Sequence, residues 1–142
     1  MIFKTDNVDS IKFSDIVGTE FKLISNNDLY NKMSEDMFVP SNDYEKMYDS
    51  DESITIKISG IVRQSPDSQI GLLASGLAYS DELSQMVIDN NLNSEIVKVQ
   101  KESEKNVFTG QNFNEGEKEM FLATLGGSAT PFIIMLYPNS FD

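Results

Sequence analysis

The clearest hydrophobic pattern in the chain is an alternation near its centre. Isoleucine occupies every second position from residue 54 to residue 58, with threonine and lysine between the isoleucines and serine after the last one. Ile61 and Val62 extend the apolar series. A period of two is typical of a β-strand with one buried face. The pattern therefore predicts a central strand over residues 54–62, with its isoleucines in the core of a sheet.

The first fifty residues are more polar and carry shorter patterns. Residues 10–18 predict a short helix that ends at Gly18, because glycine readily adopts the left-handed conformation that follows many helices. Residues 20–24 alternate charged and apolar side chains and so predict a half-buried strand. Residues 26–28 predict a turn, after which residues 29–33 predict the returning strand of a hairpin.

The pattern is weakest over residues 34–52, where one or two helical turns are predicted within residues 43–48. This segment ends in an acidic run, residues 49–52, that is the closest approach to a calcium-binding loop in the chain. An EF-hand counted from the first acid of the run needs glycine at its sixth position and glutamate at its twelfth. Ile54 and Gly60 occupy those positions. The run is therefore expected to be a solvated acidic turn.

The second half of the chain has mainly helical patterns. Ser80 is a good N-cap, and the two acids after it favour the positive end of a helix dipole. Leu83, Met86 and Val87 then form an apolar stripe that we expect to face the core. Ser94 begins a second predicted helix, which runs to about residue 105.

A third helix is predicted to begin near Asn114. Asn114 and Glu117 have the spacing of a capping box, in which the two residues hydrogen-bond each other's backbone. Met120 lies on the apolar stripe that follows, and the glycines at residues 126–127 are expected to end the helix. A short apolar strand is predicted over residues 132–137.

Methionine side chains suit adaptable binding surfaces, because they are flexible and polarisable. Met86 and Met120 lie on the apolar stripes of predicted helices and are expected in the core. Met37 and Met47 lie in the weakly patterned segment. They are the better candidates for an exposed contact patch.

Length and charge set limits on the class of protein. The chain has 142 residues, a length typical of one domain, and a net charge of −12. Nucleic acid is excluded as a partner, because binding it requires lysine and arginine to neutralise phosphates. Anionic membrane surfaces are disfavoured for the same reason.

The absence of both cysteine and histidine removes several kinds of chemistry. Disulfides, thiolate nucleophiles, imidazole bases and the usual nitrogen and sulfur zinc sites all require one of these residues. The glycines at residues 71, 76 and 126–127 lack the spacing of a phosphate-binding loop. Most carboxylates fall in predicted turns and helix starts. No catalytic, cofactor-binding or metal-ligating residue is assigned, and no cofactor is expected.

The chain shows no targeting or membrane-spanning pattern. Residues 1–4 are not followed by the apolar region of a signal peptide. The longest apolar stretches fall far short of the roughly 20 residues that cross a bilayer. The chain as given is therefore expected to be soluble.

Several short segments, in order and spacing, resemble one protein family. They are Phe13-Ser14-Asp15-Ile16-Val17-Gly18, Glu20-Phe21-Lys22-Leu23, Gly60-Ile61-Val62, Tyr79, Asn93-Ser94-Glu95-Ile96-Val97-Lys98-Val99-Gln100, Val107-Phe108-Thr109-Gly110, Leu125-Gly126-Gly127 with Pro131, and Tyr137-Pro138. Together they resemble the large extracytoplasmic domain of MacB-like (FtsX-type) ABC-transporter permeases from low-GC Gram-positive bacteria. The patterns predict an α+β fold, with a mixed, mostly antiparallel sheet and about three helices packed on one side. This architecture resembles the inserted subdomain of the MacB-like periplasmic core.

The resemblance implies that residues 1–142 form a single extracytoplasmic domain, a fragment of a longer membrane protein. It also implies a non-catalytic role at the outer side of the cell membrane, relaying an ATP-driven cycle to the outside. The implied partners are the permease's own transmembrane helices, a separate ATP-binding subunit that acts indirectly, and a membrane-fusion-type adaptor or a peptide substrate. Two alternatives remain open: a free-standing secreted or lipid-anchored acidic domain that binds a cationic peptide, and a hydrolase with paired carboxylates.

Overall fold

The computed structural model describes residues 10–67 and 76–130. The elements in these ranges, in chain order, are α1 (Phe13–Ile16), β1 (Glu20–Leu23), α2 (Asn26–Leu29), β2 (Tyr30–Ser34), β3 (Met37–Pro40), α3 (Tyr44–Asp49), β4 (Ile54–Lys57), α4 (Asp81–Asn93), α5 (Glu95–Glu102) and α6 (Glu117–Thr124). The predicted α+β class is confirmed. No helix within these ranges has the length and apolar character needed to cross a membrane. The strand predicted over residues 132–137 lies outside them.

The four strands form two separate two-stranded antiparallel sheets. β1 pairs with β4, and β2 pairs with β3. The predicted hairpin between β1 and β2 is therefore wrong, although both strands exist. The hairpin does not form because the segment between β1 and β2 is not the simple turn that the sequence predicted. It is a helical turn, α2, capped by the Ser25 hydroxyl, which accepts from the Asp28 N–H. A full turn carries the chain away from β1.

The predicted central strand over residues 54–62 is shorter than expected. Only Ile54–Lys57 is a strand, and within the described part of the chain its one neighbour is β1. Two further backbone hydrogen bonds extend the pairing: the Ile58 N–H donates to the Thr19 carbonyl, and the Gly18 N–H donates to the Ile58 carbonyl. Beyond Ile58, the neighbouring segment is the turn that follows α1, so the strand pairing ends there. Ile61 and Val62 are exposed and do not belong to the sheet.

A small cluster of fully buried apolar side chains lies among β3, α5, the loop after α5 and the end of α6. Its members are Phe38, Ile96, Val97, Val107 and Leu125. Four partly buried side chains pack around it: Tyr30, Val99, Phe108 and Phe121. The N–H of Phe38 also donates to the Val107 carbonyl at 2.8 Å. The core therefore joins the β2–β3 sheet to the second half of the chain.

A buried glutamine fixes the loop that follows α5. Gln100 is 0% exposed. Its Nε2 donates to the Lys105 carbonyl at 2.9 Å, and its Oε1 accepts from the Val107 N–H at 3.0 Å. A buried polar group is stable only when its hydrogen bonds are made. Gln100 meets that condition because its side-chain amide bonds to two backbone groups of the loop.

The predicted starts of α4 and α5 are confirmed. The Ser80 hydroxyl accepts from the Leu83 N–H, as an N-cap does. Ser94 has an extended backbone that separates α4 from α5. Its hydroxyl does not cap α5 but donates to the Asn91 carbonyl of the preceding helix at 2.7 Å. α5 ends at Glu102, about one turn before the predicted end.

The two helix stops predicted at glycines are also confirmed. Gly18 follows α1 with φ of 95°, and Gly126 follows α6 with φ of 71°. At Gly126 a side chain would also meet α4, because an added Cβ would lie 2.5 Å from Asn91 Nδ2. Glycine is therefore required there both by the backbone conformation and by the close approach of two elements.

Candidate functional site

An open groove with mainly apolar walls lies beside α6. Its volume is about 270 Å³. We call it the α6 groove, and its lining residues are Asn106, Phe113, Glu117, Met120, Phe121 and Thr124. Apolar walls with a few polar groups are typical of binding sites. The groove is therefore the first candidate for a contact with another molecule.

A chain of aromatic contacts supports the floor of the groove. Phe121 packs edge-on against Phe108 at 5.4 Å between ring centroids, and Phe113 lies 5.6 Å from Phe121. Phe108 in turn lies 5.3 Å from Tyr30 on β2. Tilted and edge-on pairs at such distances are favourable arrangements of aromatic rings. The floor is thus continuous with the packing around the core.

Met120 is the most exposed apolar side chain of the groove. The sequence predicted it in the core, yet 73% of its surface is exposed. The prediction is wrong because Phe121 takes the side of α6 that packs on Phe108, and Met120 is turned away from it. Consecutive helix residues differ by about 100° in direction, so a two-turn helix rarely buries both.

Two other methionine predictions are also wrong. Met86 was expected in the core but is 46% exposed on α4. Met47 was expected in an exposed patch but is only 4% exposed, on α3. The helix predicted over residues 43–48 is confirmed, and its single buried residue is Met47. Met37 is partly buried at the start of β3. The predicted contact patch is thus not formed by this pair.

One edge of the α6 groove is a fixed carboxylate. Glu117 accepts from the Asn114 N–H at 2.8 Å and from Asn114 Nδ2 at 2.9 Å. These hydrogen bonds lower the pKa of Glu117, because they stabilise its charged form. The return bond of the predicted capping box is therefore present. The N-cap itself is Gly116, so the reciprocal side-chain cap is absent.

A second depression, of about 310 Å³, has polar walls. Its lining residues are Ser25, Asn27, Glu52, Asn90 and Asn93. Glu52 accepts from the Ser25 hydroxyl at 3.1 Å and from Asn27 Nδ2 at 3.0 Å. In the acidic run that holds Glu52, Asp49 is the last residue of α3, and Asp51 and Glu52 form an exposed turn. No group of three or more carboxylates in the described ranges is placed to hold a metal ion.

The polar groups around this cleft already serve as links between elements. Asn27 Oδ1 accepts from the Glu95 N–H at 2.9 Å, which ties α2 to the start of α5. Asn26 Nδ2 donates to the Leu125 carbonyl at 2.8 Å, which ties α2 to the end of α6. Asn26 and Asn27 therefore act as structural links between α2 and the second half of the chain. Sequence reasoning treated them only as turn residues, because their partners are distant in the chain.

Comparison with known proteins assigns the chain to no family. No protein-family model matches it, and neither a curated protein nor a solved structure matches it.

Proposed function

We propose that this chain is a non-catalytic extracytoplasmic domain of an ABC-transporter permease, on the outer side of the cell membrane. It relays the ATP-driven cycle of a separate subunit to the outside and engages an adaptor or a peptide substrate. The observation that carries this proposal is the ordered set of segments that resemble MacB-like permeases. The α+β architecture is compatible with it.

The way the chain is tied together supports a mechanical role. Asn26 and Leu125, 99 residues apart, are joined by a hydrogen bond beside the core. Phe38 and Val107 are joined in the same way. Early and late parts of the chain therefore belong to one packed body. Transmembrane helices attached to such a body could move it as a unit and alter an interface.

The carboxylate that lines the α6 groove, Glu117, gives no support to a role as general acid. A carboxyl that acts as general acid near neutral pH needs a raised pKa, usually through burial. The hydrogen bonds from Asn114 lower the pKa of the Glu117 carboxyl in the α6 groove, which is the opposite direction. We therefore propose a binding and relay function, with no chemical step.

The most direct test is the sequence of the gene on both sides of this segment. Apolar stretches of roughly 20 residues on both flanks, with further such stretches downstream, are expected for a permease. A signal peptide before the segment and a stop codon after it would overturn the proposal. Calorimetry offers a second test, because saturable ATP binding by this domain alone would contradict a relay role.

A second candidate function is favoured by the charge of the chain. A net charge of −12 suits a secreted or lipid-anchored domain that captures a cationic peptide. Such capture would weaken steeply between low and physiological ionic strength. The flanking sequence separates the two candidates, because only the permease requires spanning helices on both sides.

A further inference from the structure

We propose that the α6 groove binds an amphipathic cationic segment, with an apolar side chain against Phe113 and Met120 and a lysine or arginine at Glu117. This inference rests on the proposed role as a non-catalytic interaction domain and specifies the chemistry of its peptide partner. The permease and secreted alternatives share this site. If the groove binds no such segment, the proposed function can still be tested separately through the flanking gene sequence.

The apolar half of the proposal rests on the exposure of Met120 and the rigidity beneath it. Burying a methionine side chain is favourable, and 73% of Met120 is available to a partner. Phe113 and Phe121 form the adjacent wall and are held by ring contacts. Asn106 secures the loop below, since its Oδ1 accepts from the Phe108 N–H at 2.8 Å. A preformed floor reduces the ordering cost of binding.

The cationic half of the proposal rests on the charges around the start of α6. Glu115, Glu117 and Glu119 all lie in this segment. Its one basic residue, Lys118, is paired with Glu104 at 3.0 Å. Asn114 orients the Glu117 carboxylate and leaves acceptor positions for a further donor. The edge of the groove is therefore negative and complementary to a basic side chain.

Charge also distinguishes this partner from other occupants of an apolar groove. A second copy of the chain would itself carry a net charge of −12 and would be repelled by the first. An anionic lipid or a nucleic acid would be repelled in the same way. A basic amphipathic segment gains both from the apolar floor and from the field of the whole domain. The observations therefore favour a cationic peptide.

The test uses a fluorescently labelled peptide of alternating lysine and leucine, with binding to the full chain followed by fluorescence anisotropy. We expect saturable binding at low ionic strength, and weaker binding near 0.15 M salt, where the Debye length is about 8 Å. Met120→Lys should raise the Kd by roughly tenfold or more, because it removes apolar contact and adds a like charge. Glu117→Gln should weaken binding less, because only one charge is lost.

The matched control is Met33→Lys, which adds the same charge at a methionine of β2 that is 68% exposed and does not line the groove. It should leave the Kd within about twofold of the parent protein. Circular dichroism should show that both lysine variants remain folded, since the substituted side chains are exposed. Equal weakening by the two lysine variants, or no saturable binding by the parent, would overturn the proposal. Self-association abolished by Met120→Lys, without peptide binding, would overturn it in favour of a second copy.

Discussion

The two small sheets are built alike but are held in the molecule very differently. Each has two short antiparallel strands. In the β2–β3 sheet, Phe38 is fully buried in the core and its N–H bonds to Val107. In the β1–β4 sheet the isoleucines are half-buried, and no residue of either strand is fully buried.

This difference shows that the strand pattern and the stability of a sheet are separate properties. A two-stranded sheet has little stability alone and depends on what covers its apolar face. α5 and the loop after it cover β2–β3, whereas β1–β4 lacks such a core among the described residues. We infer that β2–β3 belongs to the most stable part of the molecule and that β1–β4 opens more readily.

The largest expected effect is at the core of the covered sheet. Phe38→Ala should lower the free energy of unfolding by about 3–5 kcal/mol, because it leaves a cavity against α5. Ile56→Ala, at a half-buried position of β4, should cost about 1 kcal/mol through lost burial. Urea denaturation of both variants measures the difference. Equal losses of unfolding free energy in the two variants would contradict the inferred difference in stability between the two sheets.

The next largest effect is expected at the buried glutamine. Gln100→Leu should destabilise the protein by about 1–3 kcal/mol, because it leaves the buried Val107 N–H without its acceptor. The Lys105 carbonyl keeps a second donor, the Ser103 hydroxyl at 3.0 Å. Gln111→Leu, at an exposed glutamine of the same loop, should change stability by no more than about 0.5 kcal/mol. Thermal unfolding of the pair checks this, and a stable Gln100→Leu would show that the loop does not need its side chain.

Hydrogen exchange compares the sheets without any mutation. The Phe38 N–H, bonded to Val107 at 2.8 Å, should exchange more slowly than the Ile58 N–H, bonded to Thr19 at 3.0 Å. A difference of 1.4 kcal/mol in opening free energy corresponds to about tenfold in protection, and we expect at least that. Equal protection would mean that both sheets open together in global unfolding.

The smallest effect concerns pH and the start of α6. Because its hydrogen bonds with Asn114 lower the pKa of Glu117 below the ordinary value of 4.5, their stabilisation is present above that pH. It is lost as the pH falls through the lowered pKa. The protection factors of amides at the start of α6, which compare each observed rate with the intrinsic rate at the same pH, should therefore decrease in that acidic range. The protection factor of the Ile58 amide is unaffected by this group.

Glu117→Gln should remove this contribution to the pH dependence, whereas Glu119→Gln removes a carboxylate from the same turn without touching the contact with Asn114. The same loss of pH dependence in both variants would point to the general charge of the segment instead of this hydrogen bond.

Much of the local structure could be predicted from the sequence. The start of α4 at Ser80 and the end of α6 at Gly126 depend on capping groups and backbone conformation a few residues away. Pairing was not predictable in the same way. β1 pairs with a strand that begins more than thirty residues later, and nothing in the pattern of residues 20–24 specifies that partner.

The candidate site was less predictable than the fold. The sequence placed Met120 in the core, and only the packing of Phe121 on Phe108 shows that Met120 faces outward. Glu117 was singled out correctly for its contact with Asn114, because that contact spans only three residues. Its position at the edge of an apolar groove depends on Phe113 and Asn106, which come from the preceding loop.

The sequence by itself determined the α+β class, the helix caps at Ser80 and Gly126 and the acidic character, because these follow from short-range periodicity, capping and charge. Tertiary structure alone decided the strand partners, the burial of Gln100 and the exposure of Met120. These depend on contacts between residues far apart in the chain, where several arrangements satisfy the same local pattern. Packing selects among them by burying Phe38 and Val97 together and leaving the face of α6 with Met120 uncovered.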